Sequence, residues 1–372
     1  MRGCCLKTLC LLLFFTGVLI SADDENSHSI SFRGMPTVSS NPTSGTGVGA
    51  TGMMIYKVDQ DSSPSQTILT GQYTNTDSYS LFLVNKMFFG GDDFQSNTAV
   101  GYIFNNSIFD IGADLPVTPP AGLDTTVKFD VSIFMAAEQL LYRVVEHLYV
   151  GGQLFYVDQK FDALNPAGAA FLTFSGIEDS ARLGYGGTLS YDTRSKSEKF
   201  YPRDAVLVNL MVNDFPEAMG TKEHYYNALL NARKYMHGLK DDDVLALQFL
   251  GQYSSEETPD GALAALGARS VLRGFVIGQY KARHMLAAQA EYRYQITNTD
   301  FRLAAFGGYA NLSGGSKGTA QGDRERDNGN YYSGGVGVRY TIQKEQGIDY
   351  RIDFAATSTD DYAVYANINQ AF

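Results

Sequence analysis

From residue 47 onward, apolar and polar positions alternate along the chain in short runs. In 283–296, Leu286, Ala288, Ala290, Tyr292, Tyr294 and Ile296 fall on one face of an extended backbone, and Gln289, Glu291, Arg293 and Gln295 fall on the other. Period-two alternation is the pattern of a strand whose two sides meet different surroundings. In 331–343, Tyr332, Val336, Val338, Tyr340 and Ile342 oppose Ser333, Arg339, Thr341 and Gln343. In 348–357, Ile348, Tyr350, Ile352 and Phe354 oppose Asp349, Arg351 and Asp353. In 360–372, Tyr362, Val364, Ala366, Ile368 and Phe372 are set against Asn367 and Asn369.

About fifteen such runs predict strands over 47–57, 66–75, 77–89, 97–105, 127–139, 146–158, 180–191, 205–214, 223–236, 243–254, 283–296, 300–311, 331–343, 348–357 and 360–372. Residues 223–236 and 262–269 also carry some helical character. No set of helices alternates with the strands, which excludes βαβ architecture. The fold class expected is all-β. Periodicity by itself fits both a soluble sandwich, with charges turned to solvent, and a barrel, with charges turned to a wet lumen. Connection lengths favour the barrel. Those after 296 and 343 are short, whereas those at 255–282 and 312–330 are long, and outer-membrane barrels alternate short periplasmic turns with long outer loops. Threaded this way, the chain ends on the periplasmic side.

Residues 1–22 read as a secretory signal: Arg2 and Lys7, an apolar run from Leu9 to Ile20, then Ser21-Ala22 at a cleavage site. Residues 23–46 read as a flexible polar leader, and 47–372 as the barrel domain. All three cysteines, Cys4, Cys5 and Cys10, lie in the signal, so the mature chain has no thiol chemistry and no disulfides. It also has no apolar run of the ~20 residues that a membrane helix needs. The 24 tyrosines suit membrane–water interfaces, where one end of the ring stays wet. Loss of the two basic signal residues takes the net charge from −11 to −13, an acidic balance that argues against nucleic acid. Phe372, an aromatic at the end of an alternating strand, resembles the recognition signal by which outer-membrane barrels reach their assembly machinery.

Arg273-Gly274-Phe275 lies on the long loop leading into 283–296. With Glu291-Tyr-Arg293, Gly335-Val-Gly337-Val-Arg339, Arg351-Ile-Asp353 and, nearer the middle, Asp192-Thr-Arg194 followed by Phe200-Tyr-Pro202, it resembles the BamA/TamA-like outer-membrane assembly and secretion superfamily, the bacterial surface antigen barrels. The resemblance runs from Gly47 to Phe372. At the middle motif, Arg203-Asp204-Ala205 replaces the glycine that usually follows the proline. The resemblance implies a transmembrane antiparallel barrel of sixteen strands, hence one more before residue 250, with the long loop folded into the lumen. It implies that Arg273 pairs with Glu291 or Asp353 on the lumen wall, beside Arg293, Arg339 and Arg351. The residue chemistry suits this. A guanidinium fork matches a carboxylate, Gly274 permits a sharp turn, and Phe275 can pack where loop meets wall.

The resemblance further implies location in the outer membrane of a Gram-negative bacterium, contact with membrane lipids, and insertion or translocation of client proteins, outer-membrane or secreted, paired at a seam between 47–57 and 360–372. Only about 24 residues separate the signal from the first predicted strand, too few for a periplasmic docking domain. A separate periplasmic partner would then supply docking. A passive pore or structural surface antigen that kept the fold without the assembly role is the alternative, and a soluble secreted β-protein the remaining one. Enzymatic function has no support. His28, His147, His224, His237 and His284 are scattered, and no nucleophile elbow, zinc motif or phosphate loop occurs. No cofactor or metal is implied: Asp241-Asp242-Asp243 reads as a solvated turn and Gly314-Gly315 as a loop tip.

Overall fold

The computed structural model describes residues 30–41, 45–110, 126–174, 177–267, 271–275, 279–315, 328–344 and 347–372. The predicted signal lies outside the described residues. The first half of the chain contributes β1 (Ser31–Asn41), β2 (Gly45–Tyr56), β3 (Ser65–Thr74), β4 (Tyr79–Phe89), β5 (Phe94–Asp110), β6 (Thr126–Val145), β7 (Leu148–Ala163), α1 (Pro166–Phe174), β8 (Ser180–Asp192) and β9 (Ala205–Phe215). The second half contributes β10 (Tyr225–His237), β11 (Val244–Ser254), β12 (Ala264–Ala265), β13 (Lys281–Ala282), β14 (His284–Gln295), β15 (Phe301–Ser313), β16 (Gly329–Gln343), β17 (Ile348–Thr357) and β18 (Tyr362–Ile368).

Sixteen of these strands close into one antiparallel barrel in chain order, while β12 and β13 form a small ribbon within the connection between β11 and β14. Closure pairs the strand edges within the ladder, as hydrocarbon surroundings require, with the sparsest pairing at the β1–β18 contact. Among the described residues no helix is long and apolar enough to cross a membrane. The outward face of the strands carries exposed apolar side chains, among them Leu69, Leu154, Leu210, Leu286, Val336 and Phe354. Aromatic pairs mark its two borders. Tyr79–Phe104, Tyr309–Tyr332 and Tyr226–Tyr253 lie toward the long loops, and Phe89–Phe94, Phe94–Tyr142 and Phe301–Tyr340 toward the short turns.

Several sequence expectations change. Ser31–Asn41, expected as part of a flexible leader, is β1, paired along its length with β2. Its polar composition and Pro36 hide it, since proline is tolerated only where a ladder donor can be spared. The seam therefore lies between β1 and β18, and not at 47–57, which is β2 and pairs on both sides. Residues 225–237 form strand β10, because both neighbours supply ladder partners that override local helical preference. Residues 264–267 hold the two-residue β12 and a turn; 268–269 lie outside the described residues. Helix α1 occupies the connection from β7 to β8, which periodicity had left blank. Strand β18 stops at Ile368. Phe372 does not continue its outward face but turns into the barrel, 4% exposed, against Ala205, Tyr235 and Ala246.

Candidate functional site

The long connection from β11 to β14 folds back into the barrel. Leu266, Val271, Leu272 and Phe275 from this loop pack on Leu229, Leu250, Met285, Leu312 and Tyr331 of the inner wall. Met285 and Leu312 face inward although strict alternation assigns inward positions to polar residues. The wall is apolar where the loop covers it. Phe275 is 1% exposed and meets Tyr280 and Tyr331 edge-on, at 5.7 and 5.8 Å between ring centroids. Such geometry sets the positive ring edge against a negative face.

Below that apolar contact the wall is charged. Strands β14, β16 and β17 point Glu291, Arg293, Arg339, Arg351 and Asp353 inward, and all five are buried. Arg273 reaches into this group from the loop. Its Nη1 donates to Asp353 Oδ2 at 2.8 Å, and its Nη2 lies 2.6 Å from Glu291 Oε2. Both carboxylates are thus engaged by one guanidinium. Its plane sits over Phe306, 3.4 Å from the ring centroid, a packing that an ammonium could not reproduce. Arg351 Nη1 donates to Asp353 Oδ2 at 2.6 Å, Arg339 Nη1 to Asp353 Oδ1 at 2.5 Å, and Arg293 Nε to Glu291 Oε1 at 2.7 Å. Four guanidiniums share two carboxylates. A buried cluster of this kind is a poor source of net stability but a strict specification of geometry, because losing one member leaves the others uncompensated.

The glycines of the motifs have steric reasons. A Cβ on Gly337 would lie 2.1 Å from Asp353 Oδ1, and one on Gly335 would lie 2.5 Å from Phe306 Cζ. The carboxylate and the ring occupy the space that side chains there would take. Gly274 has φ +111°, and a Cβ on it would lie 2.7 Å from Thr357 Cγ2. Its amide donates to Tyr365 Oη at 3.0 Å. Tyr365 belongs to β18, and its register partner across the seam is Ser39. Phe306 and Tyr365 were not foreseen from sequence. Each is an ordinary aromatic in an alternating strand until register places it under the loop.

The seam itself pairs only Ser39 with Tyr365 and Ser40 with Val364 among the described residues, whereas β17 pairs with β18 from Tyr350–Ile368 to Ala356–Tyr362. At the short-turn end, the middle motif closes much of the mouth. Asp192 accepts from Arg194 Nη2 at 2.9 Å and from Lys199 Nζ at 3.1 Å, which fixes the turn after β8. Burial lowers the Lys199 ammonium's pKa against the opposing pull of Asp192. The turn places Tyr201 beneath Arg302 and Arg293, at 4.4 and 5.6 Å from its ring. Arg293 Nη2 also donates to the Phe372 carbonyl at 2.8 Å, so the residues after β18 lie across the same mouth. Elsewhere on the lumen wall Asn97, Gln139, Gln153, Asn213 and Asn227 hydrogen-bond in sequence beside a cavity of about 430 Å3, which Arg182 also lines. Among the described residues no group of histidine, cysteine or carboxylate side chains is arranged to hold a metal.

An apolar, aromatic-girdled outer wall around a polar lumen, closed by sixteen antiparallel strands, defines a transmembrane barrel of the outer-membrane class. The sequence profile described as the Omp85 superfamily domain matches residues 75–366, and the chain belongs to that superfamily. It is an outer-membrane protein of a Gram-negative cell, of a family that serves transport and assembly, not enzyme catalysis. BamA from Haemophilus ducreyi lacking POTRA domains 1-3 superposes with a TM-score of 0.53 at 14% identity, covering 96% of this chain and 75% of that one. CdiB from Acinetobacter baumannii superposes with a TM-score of 0.58 at 10% identity, covering 91% of this chain and 59% of that one. These likenesses are of fold. No curated protein matches the chain in sequence.

Proposed function

We propose that this barrel inserts or translocates client proteins at the outer membrane, with client strands pairing at the β1–β18 seam. Membership of the Omp85 superfamily supports a role of this general kind. The observation that carries the finer reading is the link between loop and seam. Arg273 is held by Asp353 on β17, and the next residue, Gly274, is hydrogen-bonded to Tyr365 on β18 at one of the two seam pairs. A strand with few partners offers a template edge, since unpaired backbone groups recruit another strand. The loop anchor sets which conformation that edge adopts. Arg273, Gly274 and Phe275 are the anchor, Glu291 and Asp353 its acceptors, and Arg293, Arg339 and Arg351 the wall charges that hold both carboxylates in place. Phe372 serves as the assembly signal only while the chain is unfolded, because the folded barrel buries it. A separate periplasmic partner would deliver clients.

The second reading is a passive pore. The amide-lined cavity beside the loop favours it, while the loop and the turn at 193–204 oppose it by filling much of the lumen. The test is deletion of the gene in its host, with the outer-membrane and secreted proteomes quantified against wild type. Loss of a defined set of proteins, restored by wild type but not by Arg273→Ala at equal abundance, is the expected result. An unchanged proteome sinks the assembly reading, and a high steady conductance in planar bilayers would then establish the pore.

A further inference from the structure

Between the two aromatic girdles, the outward face of the sixteen strands is uncharged except at one position among the described residues. That position is Glu138 on β6. Its neighbours on the same face, Leu140 and Tyr142, are 50% and 51% exposed, and its register partner on β7, Leu154, is 56% exposed. The intervening Gln139 points the other way, to Gln153 and Thr188 in the lumen. Glu138 lies four residues from Tyr142, which pairs with Phe94 at the short-turn girdle, and four from Phe134, which pairs with Tyr156 at the opposite one. At about 3.3 Å per residue that is roughly 13 Å of tilted strand to either border, which puts the carboxylate near mid-bilayer.

The carboxylate is held in place. Ser96 Oγ donates to Oε1 at 2.7 Å and Thr98 Oγ1 to Oε2 at 2.5 Å, both hydroxyls belonging to β5 on the same outward face. Thr98 is in turn the register partner of Asn85 on β4, whose Oδ1 accepts from Thr67 on β3 and Tyr56 on β2 at 2.9 and 2.8 Å. A polar row therefore crosses five strands of the lipid-facing wall. Two hydroxyls satisfy only half of a carboxylate's acceptor capacity, and hydrocarbon can supply nothing for the rest. An ionisable side chain at this depth marks a site whose counterpart comes from elsewhere in the membrane.

We infer that the outward face of β5–β6 is a docking site for a second membrane-embedded protein that presents an arginine or lysine side chain at mid-bilayer depth. Charge complementarity selects that occupant. It also disfavours a second copy of this chain, whose outward basic residues lie elsewhere. Lys234 pairs with Asp204 at the short-turn rim, and Lys160 lies beyond the girdle residue Phe134 and close to Asp158.

The test reconstitutes the full barrel in vesicles of phosphatidylethanolamine and phosphatidylglycerol, with a donor dye on Leu164→Cys in the outer loop. The probes are two acceptor-labelled synthetic membrane-spanning peptides that differ only in a central arginine or leucine. Energy transfer should report at least ten-fold tighter binding of the arginine peptide to wild type, and no preference with Glu138→Gln. Should Glu138→Gln fail to fold, Leu154→Lys supplies a cation beside the carboxylate, and the preference should vanish there too. Equal binding of both peptides to wild type, or a preference that survives these substitutions, overturns the proposal. Glu138-dependent transfer between two labelled copies of the barrel would also overturn it, by assigning the site to self-association.

Discussion

Arg273 and Asp353 are 80 positions apart in sequence and 2.8 Å apart in the barrel, joined by a hydrogen-bonded ion pair from which water is excluded. Because Asp353 also receives Arg339 and Arg351, and Glu291 receives Arg273 and Arg293, one loop residue completes a network spanning three wall strands.

Replacing Arg273 by alanine is expected to leave two buried carboxylates short of a partner and to release the loop, costing about 3–5 kcal/mol for a buried pair broken on one side. The melting temperature of the detergent-folded barrel should fall, and a protease added from outside should cut within 255–283. Arg273→Lys should recover little, since a single ammonium cannot bridge both carboxylates and stack on Phe306. Wild-type melting and protease resistance in Arg273→Lys would refute the fork argument.

Tyr365→Phe removes one hydrogen bond from the Gly274 amide and nothing from the charged cluster. A loss of about 1 kcal/mol is expected for a neutral bond. If loop and seam are coupled, client insertion in the host should fall more than this small change in melting predicts. Activity that tracks stability alone would uncouple the two.

Gly274→Ala meets two separate obstacles, a left-handed backbone and Thr357 Cγ2 at 2.7 Å from the new methyl. The expected cost is about 1–3 kcal/mol. Adding Thr357→Ala should relieve the contact but not the backbone strain, so chemical denaturation should show partial rescue. Full rescue would mean that sterics alone require glycine here.

Phe372→Ala tests the inward placement of the residues after β18. Loss of a ring buried against Ala205, Tyr235 and Ala246 should destabilise the folded barrel by about 2–4 kcal/mol. In a cysteine scan, Ala371→Cys should react slowly with a water-soluble maleimide in folded protein and quickly after unfolding. Fast labelling of the folded state would place the tail outside the lumen.

Much of this protein is determined by local sequence. Period-two alternation needs only neighbouring residues, so Leu286 to Tyr294 and Tyr332 to Ile342 declare their strands, and the faces carrying Glu291, Arg339 and Asp353 follow from the same count. The family resemblance of the motifs, beyond any local count, is what points to Arg273 and its two possible acceptors. What local sequence cannot state is which strands become neighbours, because closure and register are properties of the whole ladder. The polar, proline-containing β1 is a strand only because β2 pairs with it throughout. Phe372 alternates like a lipid-facing residue, yet it turns inward where Arg293 donates to its carbonyl and three small or aromatic residues from β9, β10 and β11 receive its ring. Glu138 reads as one polar residue in an alternating run. Its place at mid-bilayer, between hydroxyls 40 and 42 residues away, emerges only when β5 and β6 are set in register.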